Sequence, residues 1–513
     1  MKLNRFMLSA CASGSGKTLL TCGILRLLQR KNLNIVSFKC GPDYIDPAFH
    51  AHVCGKKGFN LDPFFLNRMQ MRSLMARHGK GMDIAVVEGV MGYFDGLSMD
   101  NNRASSCEVA EWTDTPVILI VNGAGMSRSV LAQIRGFIEY QEKPCIKGIF
   151  LNRTSAAVAK MLDKPIREAF GIPVVGSLAK MPEVHLESRH LGLLMPGEID
   201  DLQRQLDLVA DALEKSLNVE LLMQIAGNAG MLEELENPEN QIKPAAMIKA
   251  ASQIKTKSSK KPVAARRSNE TESEEEKNDA ESSGKQKSSI TCKEKAYKGE
   301  ATRVAIARDE AFCFIYEDNL SVLRSLGLEI VYFSPIHDEK LPEDVQGIIL
   351  YGGYPELYAK ELSENTSMLA EIRAAAKKGM PIIGECGGFL YLHRELKDPA
   401  GQSWPMAKLL PYTAENKGKL QRFGYITLQG GKAFGREIPD MPAHEFHYYD
   451  SEDPGEAFLA VKPSGKRSWK CIHSKENLFL GFPHLYYEGN EAFAEAFAAA
   501  CKKYRNAGKT EQA

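Results

Sequence analysis

Gly384-Glu385-Cys386-Gly387-Gly388 follows the apolar run Met380-Pro381-Ile382-Ile383 and precedes Phe389-Leu390-Tyr391-Leu392-His393. The order reads as strand, tight turn, helix, the layout of a nucleophile elbow that pushes one side chain out above a sheet. Glycines beside the cysteine leave room for the strained turn and for a substrate, where a Cβ would block both. A buried structural cysteine is the competing reading; the flanking glycines and the strand-to-helix position weigh against it. Cys386 is the chain's leading candidate for a covalent catalyst.

A thiol nucleophile needs a base and a site for the developing oxyanion. Among eleven histidines, His484 stands in Gly481-Phe482-Pro483-His484-Leu485-Tyr486, just after the apolar run Leu478-Phe479-Leu480. Leu350-Tyr351-Gly352-Gly353-Tyr354-Pro355-Glu356 ends another strand in two small residues. The backbone N–H groups of Gly353 and Gly387 are the oxyanion candidates. Taken in order, a Gly-Gly turn, a G-x-C-G-G elbow and a late histidine resemble the class I glutamine amidotransferase domain. That resemblance implies a cysteine that attacks the side-chain amide of glutamine and releases ammonia. The usual pattern of that family ends in His-x-Glu, and Tyr486 stands where the glutamate would be. The departure matches a subgroup that works with a Cys–His pair.

The other end of the chain carries an independent signal. Ala12-Ser13-Gly14-Ser15-Gly16-Lys17-Thr18 lies between the strand-like Phe6-Met7-Leu8-Ser9-Ala10 and the helix-like Leu19-Leu20-Thr21-Cys22-Gly23-Ile24-Leu25. That is a phosphate-binding loop in its required context: Ser13, Gly14, Ser15 and Gly16 offer backbone N–H groups to phosphates. Lys17 reaches the terminal phosphates, and the Thr18 hydroxyl is placed to ligate magnesium. Cys11 stands where the strict pattern has its first glycine. Lys17 is expected to face solvent while the loop is empty. Magnesium calls for carboxylates nearby. Asp43 and Asp46 lie in the Gly/Pro turn Lys39-Cys40-Gly41-Pro42-Asp43-Tyr44-Ile45-Asp46-Pro47, after the strand Ile35-Val36-Ser37-Phe38. Glu88 ends the apolar strand Ile84-Ala85-Val86-Val87, where a solvated charge is hard to explain. Thr18, Asp46 and Glu88 are the expected metal set.

Here the resemblance narrows. Phe38 to Pro47, Val87-Glu88-Gly89-Val90-Met91-Gly92-Tyr93-Phe94-Asp95-Gly96 and Glu187-Ser188-Arg189-His190-Leu191-Gly192-Leu193 are similar to strings of the cobyrinate a,c-diamide synthases. So are Ala307-Arg308-Asp309-Glu310-Ala311-Phe312-Cys313-Phe314-Ile315-Tyr316 and His444-Glu445-Phe446-His447-Tyr448. The likeness covers about residues 3–230 and 302–495. It implies an ATP- and glutamine-dependent enzyme of corrinoid biosynthesis that amidates two carboxylates of a cobyrinate-type tetrapyrrole. It also implies that Asp43, Tyr44, Arg189 and His190 face the substrate.

At 513 residues the chain has room for two or three domains. Equal counts of basic and acidic residues, 65 each, give no pull toward nucleic acid or membrane. Eleven cysteines without a C-x-x-C pair argue against a disulfide frame or zinc site and suit a reducing cytoplasm. The apolar start runs straight into the phosphate loop, so it reads as a first strand and not as a leader. No apolar run approaches the ~18 residues of a membrane span. Strands alternate with helices in both halves, which predicts an α/β protein with two doubly wound, mostly parallel sheets. One is P-loop NTPase-like (1–230) and the other class I glutamine amidotransferase-like (302–505). Strands are expected near 4–11, 34–39, 83–88, 116–121, 146–151 and 172–176, then near 303–307, 329–333, 347–351 and 381–385. Residues 231–301 include a stretch rich in Lys, Glu, Ser and Asn, too polar to bury a core, and read as a flexible linker.

The two signals combine into one chemistry. A carboxylate is a poor electrophile, so the γ-phosphoryl of ATP must first make it an acyl phosphate. Ammonia freed at Cys386, with His484 as base, then displaces phosphate. Sister enzymes acting on a nickel sirohydrochlorin or hydrogenobyrinate, a cobyric acid synthase-like enzyme and a partitioning-ATPase switch are the alternatives. The elbow argues against the switch, which has no use for glutaminase residues. A homodimer is compatible with the resemblance.

Overall fold

Parallel strands covered on both faces are apolar along nearly their whole length. The computed structural model describes residues 1–184, 188–189, 192–232 and 301–512. Its first sheet is built from β1 (Arg5–Ala10), β2 (Ile35–Cys40), β3 (Gly58–Leu61), β4 (Ile84–Glu88), β5 (Val117–Asn122), β6 (Ile146–Asn152) and β7 (Val174–Leu178). All pairs are parallel, in the order β3-β2-β4-β1-β5-β6-β7. The order turns back on itself at β1, which lies between β4 and β5. The loops at the carboxyl ends of β1, β2 and β4 therefore open together, where doubly wound sheets bind ligands. Six of these strands match the expected positions. β3 was not foreseen, because Gly58-Phe59-Asn60-Leu61 is short and half non-apolar. It is held by β2 on one side and by the second half of the chain on the other.

The second sheet contains β8 (Thr302–Ala307), β9 (Leu328–Phe333), β10 (Val345–Leu350), β11 (Ile382–Glu385), β12 (His473–Ser474) and β13 (Leu478–Gly481). Its order is β9-β8-β10-β11-β13-β12, parallel except for the last pair. A smaller antiparallel sheet carries the strand Met441–His447, which pairs with His484–Leu485. Apolar side chains fill both faces of each large sheet.

Both sheets lie in one compact unit. Tyr425 Oη donates to Asp62 Oδ2 at 2.8 Å, His78 Nε2 lies 3.0 Å from Asp318 Oδ1, and Asn60 N donates to Asp318 Oδ2 at 3.2 Å. The segment expected as a linker falls largely at 233–300, outside the described residues. Among the described residues no helix is long and apolar enough to cross a membrane.

Candidate functional site

Two clusters of reactive side chains stand at the carboxyl ends of the two sheets. In the first, β1 runs into the phosphate loop, and Gly14 and Gly16 take φ of 71° and 81°, a region that favours glycine. Gly16 caps the helix α1 (Lys17–Arg30), whose first N–H groups point into the loop. Lys17 departs from expectation. It is buried, and its Nζ donates to the Met91 carbonyl at 2.5 Å. A buried ammonium needs such a partner, since burial without one is costly. Burial, and then the charge of Lys39, lower its pKa to about 8.

The parallel register sets Lys39 of β2 beside Glu88 of β4. The Thr18 hydroxyl lies 2.9 Å from Glu88 Oε1 and 3.2 Å from Asp46 Oδ1. Asp46 sits on the first turn of the helix α2 (Ile45–Cys54). Lys39 Nζ reaches Asp46 Oδ2 at 2.5 Å and Glu88 Oε1 at 3.1 Å, and His50 Nε2 lies 2.7 Å from Glu88 Oε2. Burial disfavours ionised Glu88, but Lys39 and His50 outweigh it and hold that carboxyl below the usual range. Asp46 is pushed up by burial and by Asp43 and Glu88. Burial alone would discharge Lys39; the facing carboxylates keep it charged.

Thr18, Asp46 and Glu88 offer a hydroxyl and two carboxylates, hard oxygen donors of the kind magnesium takes, although the Lys39 ammonium now sits on both carboxylates. Two carboxylates and a hydroxyl leave coordination places for phosphate and water, as that ion prefers. Sequence reading named Thr18, Asp46 and Glu88 but missed Lys39 and His50. Asp43 is occupied in the turn itself, its Oδ1 accepting from Ile45 N and Asp46 N at 2.9 and 3.0 Å. Arg189 is described as backbone alone, in a two-residue strand facing Gly192–Leu193, and His190 lies outside the described residues.

In the second cluster, β11 delivers Cys386 at φ 47° and ψ −102°, strained for a residue with a Cβ. Cys386 N donates to Gly481 O at 2.8 Å, and Gly388 N to Tyr351 O at 2.9 Å, which locks the turn against both neighbouring strands. A Cβ on Gly387 would stand 3.0 Å from Gly353 N, so the two oxyanion candidates are adjacent. Cys386, Gly353, Gly387, Glu356 and His447 border a cavity of about 860 Å³. Burial pushes the Cys386 thiol up, the charge of Glu356 adds to this, and the Gly387 N–H opposes it.

His484 follows β13, the parallel neighbour of β11, and an added Cβ on Gly352 would meet its Cε1 at 2.6 Å. The histidine therefore stands over the Gly-Gly turn. Burial, then the charge of His447, lower its pKa to about 3. A neutral imidazole is the form able to accept a proton. Its ring stacks on His444 at 4.9 Å, and Nδ1 has no hydrogen-bond partner among the described residues. Tyr486, where a triad glutamate would stand, instead crosses to the first half, its hydroxyl donating to Asn60 O at 3.2 Å.

Comparison with known proteins matches a family model to each half of the chain. The CobQ/CobB/MinD/ParA nucleotide binding domain matches residues 6–194, and the CobB/CobQ-like glutamine amidotransferase domain matches 303–492. A cobyrinate a,c-diamide synthase of Fusobacterium nucleatum is 34% identical over 502 residues, 96% of this chain and 99% of its own length. The chain belongs to the cobyrinate a,c-diamide synthase family. The synthase of Caldanaerobacter subterraneus is 32% identical, covering 97% and 99%, and that of Salmonella typhimurium 33%, covering 97% and 98%. As a member, this protein is a glutamine-dependent amidating ligase with a nucleotide-binding half.

Proposed function

We propose that the protein amidates the a and c side-chain carboxylates of cobyrinate in corrinoid (vitamin B12) biosynthesis, using ATP and glutamine. A substrate carboxylate oxygen attacks the γ-phosphorus and ADP leaves. Ammonia then attacks the acyl carbon and phosphate leaves. Lys17 and Lys39 are the cations available to the charge that develops, while Thr18, Asp46 and Glu88 would hold magnesium, which neutralises phosphate oxygens when bound.

In the other cluster the Cys386 sulfur attacks the amide carbon of glutamine while His484 takes the thiol proton and returns it to the leaving ammonia. Water then hydrolyses the thioester to glutamate. Gly353 and Gly387 are the proposed oxyanion donors. The observation that carries this reading is the pairing, in one compact unit, of a strained cysteine and a buried histidine that stands over the Gly352-Gly353 turn with a phosphate loop beside two carboxylates. Incubation with cobyrinate, ATP, magnesium and glutamine, read by mass spectrometry, is expected to show two successive carboxyl-to-amide conversions. Unchanged cobyrinate, with turnover of a nickel sirohydrochlorin or hydrogenobyrinate, would keep the chemistry and reassign the substrate.

A further inference from the structure

The strand Met441–His447 carries buried polar atoms that neither cluster uses. His444 pairs with His484 across the ladder. Side chains alternate along a strand, so Glu445 and His447 share the opposite face. Both are nearly sealed from solvent, Glu445 at 1% and His447 at 5% exposure. His447 borders the cavity of about 860 Å³ together with Cys386, and the charge of Glu445 is felt at the Cys386 thiol.

What these two side chains lack is a donor. His447 Nδ1 lies 2.6 Å from the Tyr449 carbonyl oxygen, which can only accept. In the neutral ring Nδ1 therefore carries the proton, and Nε2 is left as an acceptor. Glu445 Oε2, an acceptor as well, lies 3.8 Å from that Nε2, beyond hydrogen-bond reach. Neither atom has a hydrogen-bond partner among the described residues. The Lys462 ammonium does not fill the place, since its Nζ donates to the carbonyls of Phe423 and Tyr425. Leaving a buried carboxylate oxygen and a buried imidazole nitrogen without a donor is costly.

The group that fits donates in several directions and is drawn to a carboxylate, which describes an ammonium. Glutamine carries one on its α-carbon, a few bonds from the amide that Cys386 would attack. The His447 ring is already fixed, stacked on Phe482 at 3.9 Å and 5°. Glu356 is another carboxylate bordering the cavity, but it is only half-buried, and water there competes for the same ligand.

We propose that Glu445 and His447 form the subsite that receives the α-ammonium of glutamine, so that the cysteine site selects an α-amino acid over a plain amide. This rests on the reading of Cys386 as the glutaminase nucleophile. An amide without the α-ammonium leaves both acceptors unpaired, and a site built around such groups rejects the analogue that lacks their partner.

The test measures ammonia release from glutamine and from glutaramate, which keeps the amide and the carboxylate but has no α-ammonium. Wild type is expected to prefer glutamine by at least about 10²-fold in kcat/KM. Glu445→Gln keeps the size of the side chain and removes its charge. It should lower that preference at least about tenfold, through a raised KM for glutamine. His447→Phe keeps a ring on Phe482 and removes the acceptor; it should lower the preference in the same way, which covers the case of a poorly folded Glu445 variant. The proposal is overturned if wild type does not discriminate, or if both variants keep the wild-type preference, as they would were the gap between the two atoms a site for water alone. It is also overturned if both amides lose kcat equally, which would assign the pair to the Cys386 chemistry, or if Glu356→Gln loses the preference and Glu445→Gln does not. Normal glutamine hydrolysis by Cys386→Ser would instead sink the glutaminase reading itself.

Discussion

Lys39 holds two buried carboxylates together, and its removal exposes what the ligase cluster is built for. Lys39→Met leaves Glu88 and Asp46 facing each other, with Thr18 and His50 still beside them. Breaking a buried ion pair from one side costs about 3–5 kcal/mol. The variant should melt lower than wild type, and magnesium should restore its melting temperature more than it raises that of wild type. An unchanged midpoint indifferent to magnesium would show that the carboxylates do not form a cation site. Glu88→Gln should slow amidation from ammonium about 10²-fold by weakening that site, with glutamine hydrolysis untouched. If glutaminase activity fell instead, Glu88 would belong to the other half. Thr18, Asp46 and Glu88 were legible in the sequence because each lies in a local string whose residue types match the chemistry. Lys39 and His50 were not: a lysine ending a strand reads as a solvated charge until the pairing with β4 sets it against Glu88.

The elbow between β11 and the helix after it is the element on which the proposed glutamine hydrolysis depends. Gly388 packs so closely that an added Cβ would lie 2.0 Å from the Leu350 carbonyl oxygen, a backbone atom that cannot step aside cheaply. Gly388→Ala is expected to lose about 2–4 kcal/mol of stability, through strain of the turn, and to cut glutamine hydrolysis sharply. A denaturation midpoint equal to that of wild type would mean that the turn is less constrained than its geometry requires. This element could be read from sequence because strand, glycines and helix follow one another within about a dozen residues. β3 could not, since four residues with one glycine and one asparagine become a strand only when β2 supplies the ladder and the second half covers its edge.

The whole molecule is held together by contacts between residues hundreds of positions apart, which no local pattern announces: Asp62 with Tyr425, Asn60 with Tyr486, His78 with Asp318. Burial raises the Asp62 carboxyl to about 7, against hydrogen bonds from the Phe64 N–H and the Tyr425 hydroxyl. The folded protein thus holds a proton that the unfolded chain releases near pH 4. That contribution to stability is present on the acid side, falls as pH rises from about 4 to about 7, and levels off above. Asp62→Asn cannot ionise, so its melting temperature should exceed that of wild type most at pH 8 and approach it near pH 5. A difference independent of pH would show that Asp62 is already ionised across that range.

The proposed function puts ammonia release in one sheet and carboxylate activation in the other. The most direct measurement is amide formation by purified Cys386→Ser, with glutamine and then with concentrated ammonium salt at mildly alkaline pH, where more of it is free ammonia. Loss of the glutamine-driven reaction and retention of the ammonium-driven one are expected. Loss of both in a well-folded protein would place Cys386 in the ligase chemistry and contradict the assignment of one reaction to each sheet.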